Sequence, residues 1–210
     1  MTYLRMSPGG NLNPRFGELV DAIRRLETEL ELELAKRRTE LAFTVRGRVV
    51  EFEERILQRH RKIKTGLASY VLGSRPLLVI SAPVIYAPLL AFVLLDALVT
   101  AYQLVCFPIY GIPRVRRHDY LIFDRYQLAF LNSIEKINCL YCSYANGLLA
   151  YVREIASRTE QYWCPIKHAR RVITAHERYA GFVDYGDAEN YHRELAQLRR
   201  QLQQEPSVPM

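Results

Sequence analysis

Charged residues are almost missing from one stretch of this chain of 210 residues. Between residues 76 and 113 the only charged side chain is that of Asp96, whereas 15 basic and 10 acidic residues precede the stretch and 14 basic and 11 acidic residues follow it. An apolar run of this length excludes a plain soluble globule and disfavours a disordered or fibrous chain. The sequence therefore predicts a membrane protein with two polar regions.

Cysteine is also scarce, with four residues in the chain, and Cys106 lies inside the apolar stretch. This usage does not fit a secreted disulfide scaffold and favours a reducing compartment. The first residues carry no apolar core followed by a small-residue cleavage site, so we expect no cleaved signal peptide. The sequence also lacks a glycine-rich phosphate loop and a nucleophile elbow, which leaves open whether the protein is an enzyme.

The polar region before the apolar stretch is predicted to consist of a flexible leader, residues 1–14, and an amphipathic helical or coiled-coil region, residues 15–75. Apolar residues there recur mostly in steps of three or four, which is helical spacing. They are Phe16, Val20, Ile23, Leu26, Leu30, Leu34, Leu41, Val45, Val49, Phe52, Ile56 and Ile63. Only Gly47 is a plausible break. Such a stripe needs either its own second half folded back or another helix, which predicts a homo-oligomer or a subunit of a larger membrane assembly.

The apolar stretch, residues 76–113, is predicted to form a helical hairpin in the membrane. One spanning helix needs about 20 apolar residues and two need about 40, and Pro83 and Pro88 interrupt the first half. Basic residues flank the stretch on both sides, and such residues resist translocation. Both polar regions are therefore expected to face the cytoplasm, which favours a re-entrant hairpin over a single span.

Two kinds of membrane-related residues stand out. Asp96 is a lone carboxylate at membrane depth, which marks either a functional site or a structural cap or pair. The basic clusters on each side of the stretch are predicted to contact lipid headgroups rather than nucleic acid, because they adjoin the membrane segment and lack interleaved aromatic residues. These are Arg59, Arg61, Lys62, Lys64, Arg114, Arg116 and Arg117.

The third region, residues 114–210, is predicted to be a helical metal-binding domain. Cys139 and Cys142 are three residues apart, and Cys164 and His168 are four apart, so each pair can share one face of a helix. Two close pairs separated by a longer segment are the usual ligand pattern of a tetrahedral zinc site. Pro165 suggests that Cys164 begins a second helix, where the helix dipole favours a thiolate.

Three alternatives to zinc at these cysteines stay open. An iron-sulfur cluster is one, although clusters normally prefer four cysteines. Thiol redox chemistry at the Cys139 and Cys142 pair is another, although no βαβ pattern accompanies it. In the third, the cysteines are buried small apolar residues. A break at Asn146 and Gly147 would divide the region into two helices, or the pair sits inside one helix at some cost.

Together these features predict an all-α protein with a long amphipathic N-terminal helix, a membrane-embedded hairpin and a metal-stapled helical C-terminal domain. The function that we expect is that of a membrane-anchored scaffold or accessory subunit, without catalysis, bound to membrane lipids and to other copies or subunits. The alternative is a membrane-bound redox protein that acts with a quinone or lipid partner.

Overall fold

The computed structural model describes residues 14–41, 43–46 and 49–205. The protein is mostly helical, as predicted, and contains in addition one two-stranded sheet. The helices are α1 (Pro14–Glu40), α2 (Glu54–Lys62), α3 (Leu67–Leu72), α4 (Pro76–Tyr86), α5 (Pro88–Tyr110), α6 (Ser133–Trp163) and α7 (Tyr191–Gln204), and the strands are β1 (Phe43–Arg46) and β2 (Val49–Phe52). The predicted leader, residues 1–14, and Gly47 lie outside the described residues apart from Pro14. Two compact units are formed, the first by residues 14–65 and 127–132, and the second by residues 66–126 and 133–205.

The first unit corrects the prediction that residues 15–75 form an amphipathic region that is helical throughout. Helix α1 ends at Glu40, and the following residues form an antiparallel pair in which Phe43 faces Phe52 and Val45 faces Val50. The steps of three and four continue through this part of the sequence, but β-branched and aromatic side chains dominate it. Such residues lose side-chain freedom in a helix and pack well on a pleated sheet, so composition outweighs spacing here.

A short chain of rings holds the first unit together. The ring centroids of Phe43 and Phe52 are 5.5 Å apart, His60 of α2 lies 5.3 Å from Phe52, and Phe130 lies 5.1 Å from His60. The backbone N–H of Val50 also donates to the side-chain oxygen of Gln127 at 3.1 Å. These contacts explain why residues 127–132 belong to this unit although they are distant in sequence.

The second unit contains the apolar stretch, whose helices α4 and α5 follow one another with Ala87 between them. Ala87 has φ −54° and ψ −40°, which are helical values, and its N–H donates to the carbonyl oxygen of Pro83. The run Pro76–Tyr110 is therefore helical over 35 residues, with a mean hydropathy of 2.4 in its most apolar window. The predicted hairpin is not confirmed, because helical torsions at Ala87 continue the helix instead of reversing the chain.

Helix α6 is the centre of the second unit and packs on α5 and α7. Tyr86 contacts Asn138, Asp96 contacts Tyr144, Gln103 contacts Tyr151, and the rings of Tyr110 and Tyr162 stack, so α5 and α6 run side by side in the same direction. Helix α7 runs the opposite way, with Leu198 beside Gln161 and Glu205 beside Arg158. The shared core consists of Phe107, Ile112, Val115, Leu121, Leu148, Tyr151, Ile155 and Leu202.

Parallel packing of α5 and α6 requires the connecting chain to run back along the pair, and we call the part that does so, residues 111–126, the return segment. Gly111 ends α5 with φ 69°, a left-handed conformation that favours glycine, and the N–H of Ile112 donates to the carbonyl oxygen of Phe107. Four residues further on, the Gln103 side chain accepts from the N–H of Val115 at 3.0 Å and donates to its carbonyl oxygen at 3.2 Å. These two hydrogen bonds satisfy the backbone N–H and carbonyl groups of Val115 and hold the return segment against α5.

Candidate functional site

The four predicted metal ligands are not brought together. Cys139 and Cys142 lie in the first half of α6, whereas Cys164 follows directly after its last residue. At about 1.5 Å per residue, the 25 residues from Cys139 to Cys164 along one helix separate them by about 37 Å. Among the described residues no group of three or more His, Cys, Asp or Glu side chains is placed to hold a metal ion. The continuous α6 helix therefore keeps Cys164 away from Cys139 and Cys142 within one chain, and metal binding by these residues, as zinc or as an iron-sulfur cluster, stays a prediction.

Of the two alternatives at Asn146 and Gly147, the chain adopts the continuous helix, and Gly147 has a packing role within it. A Cβ atom at Gly147 would lie 2.6 Å from the carbonyl oxygen of Tyr120 and 3.1 Å from the Cα atom of Leu121. Only glycine admits the return segment this close to α6. The neighbouring Asn146 side chain donates to the carbonyl oxygen of Cys142 at 2.9 Å and stays within the helix.

The surroundings of Cys164 also differ from the prediction that it begins a helix. Its N–H donates to the carbonyl oxygen of Glu160 at 2.8 Å, so Cys164 closes the C-terminal turn of α6. Pro165 accepts from the N–H of Val183 at 2.8 Å in a short extended pairing, and no helix begins at Pro165 in this described part of the chain. Cys164 therefore lies at a helix C-terminus, so the argument that required a helix N-terminus does not apply to it. All four cysteines are free thiols, and redox chemistry at Cys139 and Cys142 stays a prediction.

Asp96 is held in a network that joins α5 to the return segment and to α6. Arg117 donates to both carboxylate oxygens, at 2.6 Å to 3.2 Å, the hydroxyl of Tyr144 donates at 3.0 Å, and that of Thr100 at 3.4 Å. The Asp96 side chain is 14% exposed. Burial raises the pKa of Tyr144, and its hydrogen bond to Asp96 raises it further. This geometry matches the structural-pair alternative for the carboxylate, because its oxygens are occupied by partners from the same chain.

A second charged cluster, which the sequence did not predict, joins α6 to the residue that follows α7. The guanidinium of Arg178, only 6% exposed, donates to Glu154 at 3.0 Å and to both oxygens of Glu205 at 2.6 Å and 2.9 Å. Arg158 donates to Glu154 at 2.7 Å and to the carbonyl oxygen of Pro113 at the same distance. Glu154 and Arg158 are four residues apart, a spacing that predicts a helical ion pair, but no sequence signal links them to Arg178 or Glu205.

The charges of this second cluster fit together electrostatically. Burial raises the pKa of Glu154, but Arg178 and Arg158 more than reverse this effect and hold the pKa below its ordinary value. Burial lowers the pKa of Arg178, and its hydrogen bonds to the carboxylates of Glu205 and Glu154 more than restore it. Two guanidinium groups therefore balance two carboxylates, which is what keeps buried charges tolerable. The cluster connects the end of α7 to the middle of α6.

The most extended candidate site is the surface of α4 and α5 that faces away from α6. Fourteen large apolar side chains between residues 76 and 110 are exposed, with Leu90 at 80%. We call the side that carries the following residues the outer apolar face: Ile80, Val84, Leu90, Leu94, Leu98, Val105 and Ile109. The opposite side of α5 carries Asp96, Gln103 and Phe107 and is packed. The stretch Pro76–Tyr110 is one helix that is long and apolar enough to cross a membrane.

The predicted lipid-contacting residues are in different situations. Arg59, Arg61, Lys62 and Lys64, at the end of α2 and just beyond it, are exposed, as is Arg114. Arg116 instead pairs with Asp119 at 3.0 Å, and Arg117 pairs with Asp96 while remaining 46% exposed. The first five therefore present their charge to the surroundings. The other two, Arg116 and Arg117, form ion pairs, and the pair of Arg117 with Asp96 holds the return segment against α5.

Three arrangements thus emerge from the described residues: an extended apolar face, a carboxylate network at Asp96 and a balanced charge cluster at Arg178. The first can bind an apolar partner, and the other two join helices. The carboxylates of Asp96, Glu154 and Glu205 are all engaged by guanidinium groups, an arrangement that suits structural ion pairs better than proton transfer. No protein-family model, no curated protein and no solved structure matches this chain.

Proposed function

We propose that this protein is a membrane-associated scaffold or accessory subunit that attaches through α4 and α5 and presents its polar regions on one side of the membrane. The observation that carries the proposal is the outer apolar face. Exposed apolar residues on a soluble monomer are normally scattered singly, whereas here they form a continuous face along a 35-residue helix, which marks a site of interaction with a membrane or another protein. Lipid is the partner that the charge-free composition favours.

The proposed role is assembly because the chain offers a second unpartnered apolar surface. Along α1, Ile23, Leu26 and Leu30 are 55%, 65% and 58% exposed, and they follow helical spacing. We call this surface the α1 stripe. A stripe of this kind is normally buried against another helix, so we propose that it binds a second copy or another subunit. The protein would then connect a membrane to an assembly.

The experiment that tests membrane attachment is flotation of purified protein with phospholipid vesicles. We expect the wild-type protein to float, and the double variant Leu90→Gln, Leu98→Gln to bind at least tenfold more weakly, because burial of two leucines contributes about 3 kcal/mol or more. The matched control is Leu26→Gln, Leu30→Gln, which places the same chemistry on the α1 stripe. Equal flotation of wild type and the α5 variant would contradict the proposal.

A further inference from the structure

We infer that the outer apolar face docks in the plane of one membrane leaflet, with the α4–α5 helix lying along the surface instead of crossing the bilayer. The inference rests on the proposed function and specifies how the same face meets lipid. The occupant is the boundary between headgroups and acyl chains, where helices with one apolar side bind. Four features of the second unit carry the argument.

The first feature is the length of the helix. At about 1.5 Å per residue, the 35 residues of Pro76–Tyr110 extend over about 52 Å, whereas the hydrocarbon core of a bilayer is about 30 Å thick. A crossing helix would leave about 20 Å of apolar surface outside the core or would tilt strongly. A helix in the plane of the leaflet covers the outer apolar face whatever its length. Exposed apolar side chains off that face, such as Leu78 and Ile85 of α4, are covered as well only when the helix lies below the headgroups.

The second feature is the return segment, which places charge beside the middle of α5. Arg117 lies at the level of Asp96, and Val115 lies at the level of Gln103. The same segment carries Arg114, His118 and Asp119, which are exposed. A perpendicular helix centred near Asp96 would bring these polar side chains into hydrocarbon, at a cost of several kcal/mol for an unpaired charge such as that of Arg114.

The third feature is the first turn of α6. Asn138 is hydrogen-bonded to Tyr86, so Glu135 and Lys136, which precede it by one turn or less, lie near the junction of α4 and α5. A perpendicular helix with Asp96 at the headgroups and residues 76–95 in the hydrocarbon core of the bilayer would draw these two charges into the hydrocarbon. Both perpendicular placements are therefore costly, although α4 and α5 are apolar enough for either.

The fourth feature is the distribution of charge around the helix. The outer apolar face is free of charged residues along its entire length, while Asp96 and its partners lie on the packed side. Arg75 and Arg114, just before and just after the helices, are exposed. In the plane of a leaflet both can reach the same layer of headgroups, which agrees with the basic flanks on both sides of the apolar stretch.

The test measures the depth of three positions on the outer apolar face. Single tryptophans are introduced as Ile80→Trp, Leu94→Trp or Ile109→Trp in a Trp163→Phe background, and quenching is recorded in vesicles of phosphatidylcholine and phosphatidylglycerol with bromine at different acyl positions. Successive positions are about 21 Å to 23 Å apart along the axis at about 1.5 Å per residue. We expect the three depths to agree within about 5 Å, as required for a helix in the plane of the leaflet.

A crossing helix or a hairpin gives a different profile and overturns the inference. Either would place one tryptophan deeper than at least one other by about 10 Å or more, since the axis would then run along the membrane normal. Circular dichroism of each variant in the same vesicles verifies that it remains folded.

A second measurement determines sidedness while the four native cysteines are kept. The variants Gly66→Cys and Arg114→Cys are each added to preformed vesicles and treated with a membrane-impermeant maleimide. Mass spectrometry of the peptides then identifies the labelled cysteine. Gly66 suits this purpose because a side chain there meets no atom within 4 Å. We expect both positions to be labelled fully in intact vesicles, whereas protection of one until detergent is added would overturn docking in the plane.

Failure of the proposed function would look different from failure of this inference. A protein that binds no vesicles gives no bromine quenching at any position and contradicts both. If that protein also forms a stable dimer without lipid, and the dimer dissociates on Leu94→Glu substitution, a second copy is the occupant of the outer apolar face. Binding with an uneven depth profile leaves membrane attachment intact and removes only the orientation.

Discussion

Helices α1 and α6 are similar in length, 27 and 31 residues, and both are amphipathic, yet their environments are opposite. Helix α6 is covered by α5, α7 and the return segment, so that Leu148, Tyr151 and Ile155 are nearly inaccessible. Helix α1 exposes its stripe. Helical periodicity therefore identifies the side of a helix that will be covered, but it does not identify the element that covers it. For α6 that element belongs to the same chain, and for α1 we propose that it belongs to another chain.

The largest expected effect concerns the charges that α6 buries. Arg178→Ala leaves Glu154 and Glu205 partly uncompensated, and we expect a loss of about 3 to 5 kcal/mol in the free energy of unfolding, as for a broken buried ion pair. Urea denaturation followed by circular dichroism measures it. The control is Arg37→Ala, which removes an exposed pair with Glu40 on α1 and should cost less than about 0.5 kcal/mol. Similar losses for both variants would contradict the contrast between the helices.

The next effect concerns the contact between α6 and the return segment. Gly147→Ala introduces a methyl group 2.6 Å from a backbone oxygen, and we expect a loss of about 1 to 3 kcal/mol. Gly181→Ala is the matched control, because a Cβ atom there meets nothing within 4 Å. Thermal unfolding of the two variants in parallel tests the prediction, and equal melting temperatures would show that the return segment gives way easily.

A smaller effect is the response of the second unit to acid. The pKa of Glu154 is lower in the folded protein than its ordinary value of 4.5, so its stabilising contribution is complete above that pH and is lost as the pH falls through the folded value. We expect stability to decrease below about pH 4.5. Glu154→Gln should lower stability at pH 7 and flatten this decrease. An unchanged slope in the variant would assign acid sensitivity to other carboxylates.

The smallest expected effect on stability belongs to the α1 stripe. Leu26→Gln, Leu30→Gln should leave the free energy of unfolding of the second unit within about 0.5 kcal/mol of wild type, as for surface substitutions. It should nevertheless weaken self-association or subunit binding at least tenfold in sedimentation experiments, with vesicle flotation unchanged. A wild-type protein that is monomeric at micromolar concentration, with no subunit bound, would leave the stripe without its proposed role.

Local features of the fold were predictable where a single sequence property, such as hydropathy, pointed to one structure. The absence of charge in residues 76–113 predicted an apolar helical segment, and α4 and α5 occupy most of it. Residues 43–52 were misjudged because two rules competed, and the β-branched side chains outweighed a spacing that also suited a helix.

The four predicted metal ligands lie apart in this chain for a different reason. Cys139 and Cys142 do share one turn of a helix, but the second pair was expected to meet them from a second helix that begins at Cys164. Gly147 serves close packing with Tyr120, so the helix continues and carries Cys164 away. Ligand spacing predicts which residues can act as a pair, whereas the point at which the chain reverses determines whether two pairs meet.

The sequence by itself determined the composition-driven features: a mostly helical chain, one long apolar segment and basic residues on each side of it. Only the tertiary structure decided that α5 and α6 run in the same direction, that Arg117 returns to Asp96, and that Arg178 joins Glu154 to Glu205. The reason is physical. Helix formation and apolar burial depend on neighbours within a few residues, while the pairing of distant charges depends on the path of the whole chain.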